Sequence, residues 1–195
     1  MNDSGIFLPL MVVFIAIFFV IVGGLVVVVK VKQANKRKDR STSFQELARQ
    51  MNFNFLGEVP FANLSGAENF NLFTSGEESK RFFVNTLTGA AGGFQVSVFD
   101  FVYYVANPNW KTNGSKISSA YFHHQQTVVM LESTQINLPR VAAAPPSQTG
   151  LQIEGFGNRL IFYRSGTQIE PSQIGATLNE AVQSANSFLN QYFAR

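Results

Sequence analysis

The sequence predicts an α+β protein in which an N-terminal transmembrane helix precedes an antiparallel β-sheet with helices packed on one face. Three observations predict it. Residues 6–29, IFLPLMVVFIAIFFVIVGGLVVVV, are 24 consecutive uncharged, mostly apolar residues. From Lys80 onward come segments rich in Phe, Val, Thr and Tyr, divided by glycine-rich turns, which is strand composition. The chain then closes on an apolar stripe at helical spacing.

Residues 1–5 read as a short tail before the span. As a helix, residues 6–29 would rise about 36 Å, enough to cross a hydrocarbon core of about 30 Å with some tilt. β-branched residues form helices poorly in water, but in lipid every backbone amide must be satisfied within its own segment. Pro9 falls in the first turn, where its missing N–H costs little. A cleaved signal peptide is disfavoured, because the leading residues MNDSG lack Lys and Arg and no small-residue cleavage site follows. Gly23 and Gly24, with Ala16 seven residues earlier, suggest self-association through a small-residue packing face, although no G-x-x-x-G spacing is present.

The basic charge is concentrated. Across the 195 residues the formal charge is +3, yet residues 30–40, KVKQANKRKDR, hold six Lys/Arg and one Asp, a net of +5. Residues 41–195 hold nine Lys/Arg and ten Asp/Glu, a net of −1. No cationic cluster of the kind that neutralises phosphates lies beyond the run, so nucleic acid is not an expected partner. Lys30, Lys32, Lys36, Arg37, Lys38 and Arg40 form instead a juxtamembrane tether over residues 30–42. They would rest on anionic headgroups and, by the positive-inside rule, keep that flank cytoplasmic. The expected location is the bacterial inner membrane, single-pass, with the N-terminus outside and residues 43–195 as a cytoplasmic α+β domain.

Within that domain, Ser43 and Glu46 fit a capping box opening a helix over 43–51. Residues 53–79 show no sustained period and read as loop. The segments KRFFVNTLTG and GGFQVSVFDFVYYVA form a hairpin about GAAGG, and a third strand is expected at 118–133. Pro139, Pro145 and Pro146 mark a connector, a second hairpin turns around Gly155–Asn158, and a helix runs over 171–193 with Pro171 in its first turn.

Chemistry has few places to reside. There are no cysteines, which removes disulfides, thiol nucleophiles and Cys-based metal sites. The two histidines, His123 and His124, are adjacent in a strand, point to opposite faces and cannot share a metal. No metal or cofactor is expected. Centring the hairpin connection near residue 112 sets Asp100 opposite His124, a carboxylate–imidazole pair that serves either as catalytic dyad or as ordinary cross-strand pair. No nucleophile on a G-x-S-x-G turn accompanies it. Trp110, in the connection after Asn107, is a candidate contact for a partner.

At VSVFDFVYYV and HHQQTVVMLES…LP the chain resembles a family of bacterial single-pass membrane proteins with no assigned activity. That family carries V-x-V-F-D-Y, then T-H-x-Q-T-V and L-P, and closes on a hairpin and a helix. Asp100, His124, Gln126 and Thr127 fall on matching positions, over a loose resemblance spanning 80–195. The chain departs from the pattern at Phe101-Val102, where the family often has a Tyr-Arg pair nearby, and after Leu138-Pro139, where it is shorter and richer in Ala and Pro. The resemblance implies a membrane location and no activity. The leading expectation is a non-enzymatic interaction or scaffold module. The alternatives are a membrane-proximal hydrolase using Asp100 and His124, and a structural subunit of a membrane complex.

Overall fold

A computed structural model of the chain describes residues 38–64, 66–107, 121–144 and 150–193. The chain divides into two compact units, 1–42 and 43–195. Of the first, only the opening turn of helix α1 (residues 38–51) is described. The apolar run at 6–29 lies outside the described residues.

The second unit is a seven-stranded sheet in the order β1-β2-β3-β4-β7-β6-β5. The strands are β1 (Asn54–Pro60), β2 (Arg81–Ala91), β3 (Phe94–Ala106), β4 (Tyr121–Glu132), β5 (Leu138–Ala144), β6 (Gln152–Gly157) and β7 (Arg159–Tyr163). Every pairing is antiparallel. Helix α2 (Ile174–Phe193) follows a 3-10 turn at Pro171–Gln173.

The expected architecture needs correction. The described residues are mostly an antiparallel seven-stranded sheet with a C-terminal helix, and no helix among them is long and apolar enough to cross a membrane. The α+β layout with a leading transmembrane helix is therefore not the fold described. Two strands appear where a loop and a connector were expected. β1 lies in the 53–79 stretch, and β5 runs through Pro139, which an edge strand tolerates because its outer side needs no ladder donor. Ser43 is not a cap, since the helix is already under way at residue 38.

Alternation along the strands builds two cores. In β3, Val96 and Val98 point to one face and Phe99 and Phe101 to the other. The first face packs on Phe44 and Ala48 of α1 and on Ile174, Leu178, Ala181 and Ala185 of α2. The second is covered by the segment between β1 and β2, four short 3-10 turns carrying Ala67, Phe70, Leu72 and Phe73. Phe73 meets the rings of Phe61, Phe70, Phe83, Phe99 and Phe101 with centroids 5.0–6.3 Å apart. Offset and edge-on aromatic pairs of this kind add to the burial that orders them.

The backbone bonds within this covering segment are the short i→i−3 bonds of its turns, so side chains tie it to the sheet. Arg81 donates from Nε to the carbonyl of Ser75 and from Nη2 to those of Thr74 and Gly76, at 2.8–3.0 Å. Gly76 has φ +73°, and a Cβ there would lie 2.7 Å from the Tyr104 carbonyl oxygen. Only glycine lets the backbone come this close to β3. Contact is made by the Glu77 N–H, which donates to that carbonyl at 3.0 Å.

Candidate functional site

β3 and β4 are the longest strands and outrun their neighbours. The β2–β3 pairing ends at Arg81↔Tyr103, and β7 pairs with β4 only from Val128 onward. The β3–β4 pairing itself continues to Ala106↔Tyr121. Among the described residues, 103–106 and 121–124 thus form the end of this two-stranded ribbon, called its tip below, beyond the body of the sheet. Exposure rises along both strands toward it, from buried Phe101 and Gln126 to Val105 at 37% and Phe122 at 50%.

The register decides what meets what. Asp100 faces Thr127, and His124 faces Tyr103. Residue numbers across this pair sum to 227, where a connection centred at 112 gives 224. An odd slip moves a side chain to the other face. Asp100 consequently lies on the helix-covered face and His124 on the other, so the expected pair does not form.

Each candidate has other employment. Asp100 is fully buried; its Oδ1 accepts from the Thr127 hydroxyl at 2.7 Å and its Oδ2 from Asn85 Nδ2 at 2.9 Å. Asn85 adopts φ +53° in the irregular stretch of β2 between Val84 and Leu87. Thr127 Oγ1 in turn accepts the Ile169 N–H at 2.9 Å, joining β4 to the approach to α2. His124 is exposed and lies 5.0 Å from Tyr103, nearly parallel, and Tyr103 stacks on Phe101 at 5.1 Å. The tip is therefore continuous with the aromatic core, and burial raises the Tyr103 phenol above its ordinary pKa. His123, on the opposite face, meets Tyr104 edge-on.

Lys80 flanks that opposite face. Its Nζ lies 3.2 Å from the ring centroid of Tyr121 and 3.1 Å from Glu77 Oε2. Hydrogen bonding with Tyr121 first, and Glu77 next, raises the Lys80 pKa; the hydrogen bond with Lys80 lowers that of Glu77. The ammonium remains charged throughout the physiological range.

A second buried carboxylate had no place in the sequence reading. Glu154 on β6 is 2% exposed on the phenylalanine-lined face. It accepts the Tyr163 hydroxyl at 2.6 Å and the N–H groups of Leu72 and Asn71 at 3.2 and 2.6 Å. It thereby ties the covering segment to the sheet. The one signal for it was a Glu following Ile153 in the strand-like LQIEG. Its partners, 82 and 83 residues away, had none.

Of the predicted surface residues, Lys38 is exposed and Arg40 partly buried in the first turn of α1. Lys30, Lys32, Lys36, Arg37 and Trp110 lie outside the described residues. Among the described residues no group of three or more His, Asp or Glu side chains gathers to hold a metal ion. The fold and site together define a two-faced antiparallel sheet bearing an aromatic ribbon tip. No protein-family model matches the chain, and neither a curated protein nor a solved structure matches it at significance.

Proposed function

We propose that this chain is a non-enzymatic binding module held at the inner membrane of a bacterium, with residues 43–195 on the cytoplasmic side. The tip of the β3–β4 ribbon carries this reading, because it leaves Val105 and Phe122 exposed beyond the sheet while the buried carboxylates are engaged in structural bonds. Val105 and Phe122 pair across the ribbon and so make a joined apolar surface, and it is contiguous apolar surface, not scattered residues, that marks a contact site. The sheet edges offer less. Edge strand β1 ends in Pro60 and is interrupted by bulges, and edge strand β5 carries Pro139 and two register shifts, features that discourage strand addition.

Membrane holding is supported by the 24-residue apolar run at 6–29 and the six cations that follow it, and the resemblance to bacterial single-pass proteins points the same way. Confinement to a surface raises the effective concentration of a module for anything else at that surface.

The test is site-specific photocrosslinking in native membranes, with the reactive group placed at 122 or at the exposed control position 170. The reading expects adducts from 122 and none from 170, and expects the full chain to resist alkaline carbonate extraction. Equal labelling from both positions would remove the tip as the contact surface. Release of the chain by carbonate would remove the membrane.

A further inference from the structure

We infer that the outer face of α2 is an interface with the α2 of a second copy of this chain, the two helices lying side by side. The contact is separate from the ribbon tip. It draws on the membrane-held reading above only for the surface concentration that brings copies together.

Charge gives the first observation. Of the nine exposed residues of α2, from Ala176 to Phe193, none is charged. The described part of α1 exposes seven residues, and four of them are charged: Lys38, Asp39, Glu46 and Arg49. Surfaces left to water are about 25–35% charged, so an uncharged face of this length departs from the rule. The one charged side chain of α2, Glu180, is partly buried, with its Oε2 on Arg164 Nη2 at 3.0 Å. At the end of the same helix Tyr192 and Phe193 stand 38% and 60% exposed. Loss of charge together with exposed Tyr and Phe is what separates the core of a protein interface from ordinary surface.

Spacing gives the second. Ala176, Asn179, Gln183, Asn186, Asn190 and Phe193 are all exposed, at intervals of three, four, three, four and three. That alternation keeps the side chains on one line along the helix and is the seam spacing of two helices packed side by side.

The chemistry of the seam selects a second copy as its occupant. Its four central residues are carboxamides, each both donor and acceptor, so the seam is complementary to itself. With no ionised group, it meets its own copy without like-charge repulsion and offers nothing to a charged partner. The seam runs about 26 Å along the helix, which is short for a free-standing coiled coil. Copies held at one surface supply the effective concentration that this length needs.

The chain has no cysteine, so one introduced thiol reports one position. The full-length chain carrying Gln183→Cys is oxidised in native membranes and read by non-reducing gel and intact mass. Gln45→Cys, exposed on α1 and expressed at the same level, is the control. Gln183 stands at the middle of α2, so it meets its counterpart whichever way the two helices run. The seam predicts severalfold more disulfide-linked dimer from Gln183→Cys than from Gln45→Cys. Adding Asn179→Glu and Asn186→Glu sets like charges across the seam and lowers that yield severalfold, with part of it returning in high salt. Adding Asn179→Gln and Asn186→Gln leaves it unchanged. All of these positions are exposed, and an unchanged circular dichroism spectrum verifies that the variants fold. Equal yields from positions 183 and 45 overturn the inference. So do equal yields with and without the two glutamates, or a product whose mass is not twice that of the chain. Carbonate extraction is read in parallel. If it releases the chain, and the concentrated chain in solution still crosslinks from 183 above the control, the anchor reading falls and the seam stands. A chain that stays in the membrane and crosslinks equally from both positions keeps the anchor and loses the seam.

Discussion

Glu154 and Tyr163 show what one buried carboxylate can hold. Burial first, and the Glu154 carboxylate second, push the Tyr163 phenol far above its ordinary value. A raised folded-state pKa means the fold favours the neutral phenol. That contribution is fully present below the unfolded value near pH 10 and is lost as pH rises through the folded one. A spectrophotometric titration should therefore show Tyr163 ionising last, after Tyr103 and together with unfolding, and Tyr163→Phe should abolish that last step. Glu154→Ala would strand the Tyr163 hydroxyl and two backbone N–H groups, a loss of about 3 kcal/mol by urea denaturation. Asp100 and His124 make a contrasting pair. Asp100→Ala should cost about 2 kcal/mol by removing the acceptor of the Thr127 hydroxyl and the Asn85 amide, and His124→Ala about 0.5 kcal/mol or less. Because the two side chains lie on opposite faces, the double variant should be additive within about 0.5 kcal/mol. A coupling well above that would mean they communicate after all.

Elements with strong local punctuation were legible, and those without it were not. Gly92 and Gly93, with φ +59° and +87°, form the two-residue turn that sets Ala91 against Phe94, so the first hairpin could be placed from its glycines. The connection at 107–120 holds such a signal too, the pair Asn113-Gly114, whose numbers sum to the observed 227; centring the connection at 112 passed it over, and that small error became a slip of three. β1, NFLGEVP, reads as loop because Gly57 and Pro60 are poor strand formers; it is specified by pairing with β2, which no local window contains. Gly92 also has a tertiary role. A Cβ there would stand 2.4 Å from Val182 Cγ1, so the hairpin turn sits against α2. Gly92→Ala should cost about 2 kcal/mol, partly from the positive φ and partly from that clash. Adding Val182→Ala should recover the steric part, giving a favourable coupling of about 1 kcal/mol in a double-mutant cycle. Without recovery, the loss would be wholly backbone strain.

At the scale of the whole second unit, the sheet is the shared wall of two cores, one capped by helices and the other by a phenylalanine-rich segment with little regular structure. Strand β3 joins them physically, since Val96 and Val98 serve one core and Phe99 and Phe101 the other. Loosening either side exposes the same strands. Phe73, fully buried among five rings, is the most direct probe of the less regular side. Phe73→Ala should cost about 3–5 kcal/mol, the range for removing a large core ring. The consequence for the fold is what matters. If the cores unfold together, hydrogen exchange in α2, on the far face, should quicken by the same free energy as exchange in the segment carrying Phe73, within one urea transition. Faster exchange confined to residues 61–80 would instead make that segment a separately opening cover. The three Arg81 bonds and the two Glu154 bonds to Asn71 and Leu72 argue for the first outcome, because lifting the segment from the sheet would break all five and leave the buried Glu154 carboxylate short of partners. Arg81 and Glu154 each reach the segment from a strand, so opening it would disturb the sheet that α2 also needs.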